Sequence, residues 1–180
     1  MSRIVICGGP RTGKTTLARK LGGEVFVGDP AEVRTIRHMD DLIAETCWLG
    51  RDGWSAACRT VASEWLPAPG PWIIEGVAMA RALRKWREAH PGAAPPVDRV
   101  IRLTAPYREL SKGQATMAKG EETVWREIEG WLLDAPDVAM EVRGLPLRVA
   151  LPDLPRLEEP ERDQSSAAMM AAAIVGPVKR

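Results

Sequence analysis

The sequence predicts an α/β fold: a three-layer arrangement in which a parallel five-stranded sheet is flanked by helices. Three observations carry this. Short apolar runs that read as buried strands alternate with stretches of helical periodicity, the connections between them are short, and residues able to do chemistry fall at the carboxyl ends of the runs.

The first run, Ile4, Val5, Ile6 and Cys7, is continuous rather than alternating and is closed by Gly8 and Gly9, as in a strand buried on both faces. Leu17, Ala18 and Leu21 then recur at helical spacing, and Gly22 with Gly23 supplies a stop. Val25, Phe26 and Val27 predict a second strand that ends at Gly28, Asp29 and Pro30, which places Asp29 at a strand's carboxyl end. Apolar residues over 31–66 predict two helices broken near residues 50–53, with Asp40 and Asp41 as helix-surface charges. After a stiff connector at 67–71, Trp72, Ile73 and Ile74 predict a third strand, stopped by Glu75 and Gly76. Residues 77–90 form a basic helix carrying Arg81, Arg84, Lys85 and Arg87, and 97–103 a fourth strand. The polar stretch 105–120 reads as a loop or lid, 121–133 as a helix and 145–151 as a fifth strand. Residues 1–151 are therefore expected to form the folded domain, and 152–180 a loosely attached Pro/Ala-rich tail.

Composition narrows the partners. The chain has 180 residues, enough for one core, and 25 Lys and Arg against 24 Asp and Glu, so no global field favours nucleic acid or a membrane surface. Cys7, Cys47 and Cys58 show no metal-ligand spacing and are odd in number, which suits reduced thiols. The N-terminal apolar run is too short for a signal peptide or a membrane span, so a soluble cytoplasmic protein with no membrane partner is expected. The bias towards Trp, seven against one Phe and one Tyr, has no functional explanation.

One motif is specific. Gly8, Gly9, Pro10, Arg11, Thr12, Gly13, Lys14 and Thr15 fit GxxxxGK[ST], between a buried strand and a helix. Glycine-permitted backbone angles turn successive amides inward onto phosphate oxygens at the positive end of the helix. Lys14 is then expected to reach the outer phosphates, Thr15 to hold Mg2+, and Thr16 to complete the ATP contacts.

On these residues, residues 1–150 resemble the P-loop kinases of the P-loop NTPase superfamily, with a nucleotide-kinase-like sheet and a mobile lid. The resemblance implies ATP and Mg2+ as bound groups. It implies Asp29, the carboxylate after the second strand, as the base that activates an acceptor hydroxyl. The run from Trp72 to Glu75 is similar to a Walker B strand with Glu75 replacing the usual Asp, which implies a metal-water or acceptor contact for Glu75. Arg108, Lys112 and Lys119 fall where such kinases carry lid cations that neutralise charge on the transferred phosphoryl group.

The stretch Gly113, Gln114, Met117, Ala118, Lys119, Gly120, Thr123, Val124, Trp125, and residues 74–84, are similar to small phage-encoded P-loop proteins. Among those are DNA kinases that phosphorylate 5-hydroxymethyluracil on the way to hypermodified thymidines. A modified base in phage DNA would need backbone cations and an aromatic surface, for which Arg34, Arg37, His38, Trp48 and Trp54 are candidates, with Arg81 and Arg84 for an acceptor phosphate. Trp65 and Trp131 read as core. A kinase of a free nucleoside, nucleotide or other metabolite is the alternative, favoured by the near-neutral charge. An ATPase switch without an acceptor is the third reading.

Overall fold

The computed structural model describes residues 2–24, 35–48 and 53–144. Its elements, in order, are β1 (Arg3–Gly8), α1 (Lys14–Glu24), β2 (Thr35–His38), α2 (Met39–Trp48), α3 (Gly53–Thr60), which runs on into a π-helical turn at Val61–Trp65, β3 (Trp72–Gly76), α4 (Met79–Ala89), β4 (Arg99–Leu103), α5 (Lys112–Leu133) and β5 (Ala139–Arg143). The five strands form one all-parallel sheet in the order β2-β3-β1-β4-β5.

Alternation along the central strands sorts the core into two layers. Ile4, Ile6, Ile73, Ile101 and Leu103 face Leu17, Ala18 and Leu21 of α1. Val5, Cys7, Trp72, Ile74 and Val100 face the other way, onto Met39 and Ile43 of α2, Ala57 of α3, Leu83 and Trp86 of α4, and Trp125, Ile128 and Leu132 of α5. Because both faces are covered, the central strands read as unbroken apolar runs, as predicted.

The edges differ from the sequence reading. The second strand predicted at 25–27 and the fifth predicted at 145–151 lie outside the described residues, as do Asp29, Arg34 and the boundary at 151/152. The described edge strands are Thr-Ile-Arg-His and Ala-Met-Glu-Val-Arg, polar and only partly buried. An edge strand has one paired side and one open side, so it does not need an apolar run. On β5, Glu141 pairs across the strands with Arg99 of β4 at 2.7 Å and within β5 with Arg143, charge pairing that replaces apolar packing.

The expected loop or lid at 105–120 is also corrected. Only 104–111 is irregular, and α5 is continuous over its 22 residues. Ser111 opens it with a capping box, its hydroxyl accepting from the Gln114 amide while the Gln114 side chain accepts from the Ser111 amide. The polarity of 112–119 is that of a solvated helix face, which composition alone does not distinguish from a loop.

Two glycines fix the sheet's carboxyl edge. Gly8 has φ of +147°, and a Cβ there would lie 2.4 Å from the Leu103 carbonyl oxygen. At Gly76 a Cβ would lie 2.7 Å from Cβ of Met39, so this glycine lets α2 approach the end of β3. Gly8→Ala, which adds both overlap and backbone strain, is expected to cost at least about 2 kcal/mol of stability in denaturant unfolding; an unchanged midpoint would contradict the packing of β1 against β4.

Candidate active site

The phosphate loop lies between β1 and α1, at the carboxyl edge of the sheet's central strand. Gly13 has φ of +87° and Arg11, unusually for a non-glycine residue, +58°. Arg11 is held there from outside the loop: its carbonyl accepts from the Tyr107 amide at 2.9 Å, and its guanidinium donates to the Glu109 carbonyl. The β4–α5 connection is thus tied to the loop. The Gly9 carbonyl accepts two donors, Thr12 Oγ1 at 3.0 Å and Lys14 Nζ at 2.8 Å. From above, α5 rests on the loop, since a Cβ on Gly9 would be 3.2 Å from Cβ of Ala118.

Lys14 is only 6% exposed. Burial lowers its pKa, and the carboxylates of Asp40 and Glu75 act against that shift. Glu75, 2% exposed at the end of β3, takes two hydrogen bonds on one oxygen: Thr15 Oγ1 donates to Oε1 at 2.8 Å, and His38 Nδ1 lies 2.7 Å from the same atom. The other oxygen, Oε2, is buried with no hydrogen-bond partner. A buried carboxylate oxygen left open beside a phosphate-loop hydroxyl fits a hard divalent cation or its bound water, so Thr15 and Glu75 fit Mg2+.

Asp40, read from the sequence as a helix-surface charge, is exposed on α2 but has partners that reading did not foresee. It stands in the first turn of α2, immediately after β2, and its Oδ1 accepts from the Val77 amide at 3.1 Å. The carboxylate is open to the cleft, yet desolvation by the walls around it raises its pKa, outweighing the Val77 hydrogen bond and Lys14. The cleft itself has a volume of about 420 Å3 and is lined by the loop residues Pro10, Arg11, Gly13, Lys14, Thr15 and Thr16 on one side. Opposite them lie Asp40, Ile43, Trp54 and Val77, with Tyr107, Gln114 and Met117 completing the wall.

The other expected residues fall as follows. Trp54 lines the cleft, and His38 supports Glu75. The Arg37 guanidinium lies over the Trp65 ring, 5.3 Å from its centroid, and Arg108 lies over Tyr107 at 5.8 Å. Lys112 and Lys119 are exposed on α5, and neither they nor Arg108 line the cleft. Arg84 is paired with Glu127 at 2.7 Å, whereas Arg81 is exposed beside Gly120.

A second buried charge group escaped the sequence reading. Arg102 of β4 pairs with Glu122 and lies 3.8 Å from Glu121, its guanidinium 4.6 Å from the Trp125 ring centroid. Glu121 is buried with a raised pKa, chiefly from desolvation, and its charge reaches both Cys7 and Lys14. The arginine inside the apolar run Val100, Ile101, Arg102, Leu103 was the available signal.

No protein-family model matches the chain, and no curated protein sequence does either. Among solved structures, shikimate kinase from Acinetobacter baumannii in complex with shikimate is similar at 13% identity and a TM-score of 0.47, over 98% of this chain and 96% of that one. Among the described residues no helix is long and apolar enough to cross a membrane.

Asp40 gives a sign-definite stability prediction. The folded protein holds a proton on Asp40 more tightly than the unfolded chain does. Folded-state stability is therefore full below the unfolded carboxyl's pKa and is lost as pH rises through the raised folded value. Asp40→Asn removes this loss and keeps an oxygen to accept from Val77. The variant should melt at the same or a higher temperature than the parent at pH 7, with the gap narrowing below about pH 4; a clear drop at pH 7 would contradict a desolvated carboxylate.

Proposed function

We propose that the chain is an ATP-dependent phosphotransferase that moves the terminal phosphate of ATP onto an acceptor hydroxyl. The observation that carries this reading is the composition of the cleft at the phosphate loop. One wall is the phosphate loop, and the opposite wall brings a carboxylate, Asp40, together with the apolar and aromatic surface of Ile43, Trp54 and Val77. A switch that only hydrolyses ATP has no need of an apolar wall facing its phosphates, and a volume of about 420 Å3 suits a small organic group.

In this reading the loop amides and Lys14 hold the phosphates of ATP. Thr15 and Glu75 would hold Mg2+, which supplies neutralisation of charge on the outer phosphates. Asp40 accepts the acceptor's proton as a bond forms between the acceptor oxygen and the terminal phosphorus. The bond from that phosphorus to the bridging oxygen breaks, and ADP leaves with the electron pair. A desolvated carboxylate with a raised pKa is the stronger base for that proton. Asp29 remains the alternative base of the family resemblance; Asp40 is preferred because it follows the described β2 and shares the cleft with Lys14.

A narrower version takes the hydroxymethyl group of a modified base in DNA as the acceptor. Trp54 favours it, since a ring on the acceptor wall offers a stacking surface for an extruded base.

Labelled terminal phosphate offered with hydroxymethyluracil-containing DNA, ordinary DNA, free nucleosides, nucleotides and small alcohols should enter one acceptor class; release only as free phosphate would overturn the transferase reading. Lys14→Ala should abolish labelling. Asp40→Asn should slow transfer by about 10²–10⁴-fold with ATP affinity little changed, and unchanged turnover would return the base role to another residue.

A further inference from the structure

Beside the nucleotide cleft lies a second depression, of about 290 Å3, walled by Trp54, Ser55 and Cys58 of α3 and by Arg81, Arg84 and Lys85 of α4. Trp54 is a wall common to both hollows. The three cations are not equivalent. Arg84 is held in place by Glu127 at 2.7 Å and Glu88 at 3.5 Å. Arg81 and Lys85 have no carboxylate within ion-pair distance among the described residues.

Arg81 is also placed towards the chemistry. A Cβ on Gly120 would lie 3.4 Å from its Nη2. The next residue, Glu121, is within electrostatic reach of Lys14, and Ala118, two residues earlier, rests on Gly9 of the phosphate loop. The uncompensated guanidinium therefore stands against the turn of α5 that covers the loop.

Two cations without a carboxylate partner among the described residues converge on a concave surface and produce a local positive potential that the near-neutral chain as a whole lacks. A guanidinium presents two parallel N–H groups and an ammonium adds a point charge, a combination that matches the tetrahedral oxygens of a phosphate.

We propose that this pocket binds a phosphate group carried by the acceptor, so that the substrate is a phosphorylated compound whose hydroxyl reaches Asp40 while its phosphate sits on Arg81 and Lys85, with Trp54 between the two. The proposal rests on the phosphotransferase reading for its acceptor, but the pocket can be tested without turnover. The shared chemistry is the phosphate, which a free monophosphate and a nucleic-acid backbone both supply.

The test is calorimetric titration of the full chain, its phosphate loop filled by a non-hydrolysable ATP analogue. The titrants are inorganic phosphate, thymidine, thymidine monophosphate and a short thymidine oligonucleotide. A phosphorylated titrant should bind about tenfold or more tightly than thymidine. In the Arg81→Gln, Lys85→Gln double variant that advantage should disappear, while the ATP analogue binds as before. Among the described residues neither side chain has an ion-pair partner, so the substitution breaks no salt bridge there. Preference for the monophosphate identifies a free metabolite, and preference for the oligonucleotide a nucleic-acid strand; either supports the pocket. Equal binding of thymidine and all phosphorylated titrants, or an advantage that survives the double variant, overturns it. Phosphate binding here without transfer to any acceptor would instead sink the transferase reading and leave the pocket standing.

Discussion

One carboxylate oxygen ties the working edge of the molecule together. Glu75 Oε1 meets Thr15 Oγ1 at 2.8 Å and His38 Nδ1 at 2.7 Å. It thereby links the end of β3 to the start of α1 and to the end of β2. All three elements bring polar side chains to the same buried place, and Glu75 is where they are satisfied. The register requires it: in the parallel pairings, Glu75 lies opposite Ile6 of β1 and His38 of β2. Moving β3 by one residue would turn Glu75 away from the α1 face, which it shares with Ile6 and Ile73, and leave Thr15 and His38 without their acceptor.

The rest of the site follows from that junction. Gly76, directly after Glu75, is bare enough for Met39 to pack against it, which sets the first turn of α2 and delivers Asp40 to the Val77 amide. Lys14 then sits buried among Asp40, Glu75 and Glu121, three carboxylates that compensate the desolvation of its ammonium. Lys14 Nζ donates to the Gly9 carbonyl, and Glu75 Oε2 is buried without a hydrogen-bond partner. Bound phosphates and a cation would satisfy both groups at once.

What the sequence disclosed depended on how local the signal was. The turn between β1 and α1 and the strands β1, β3 and β4 were legible, because a glycine-rich strand-to-helix turn is a contiguous pattern and a central strand must be apolar on both faces. The described strands β2 and β5 were not foreseen for the converse reason: both are half-solvated, and Arg37, His38, Glu141 and Arg143 break any apolar run. The first turns of α5 were taken for a loop because exposure makes a helix polar. Asp40 was passed over because its significance comes from Val77 and Lys14, 37 and 26 positions away, which only the closed fold brings near. The pairing of Arg102 with α5 was equally non-local.

Asp40 and Lys14 line the same cleft, and the pH dependence of a single turnover tests the proposed pairing of their roles most directly. With ATP saturating and the identified acceptor present, transfer should fall on the acid side with a midpoint above the ordinary aspartate range, because Asp40 must be ionised to take the proton. In Asp40→Asn the residual rate should lose this acid limb. An acid limb with the same midpoint in the variant would show that another group takes the proton, and would separate Asp40 from the chemistry.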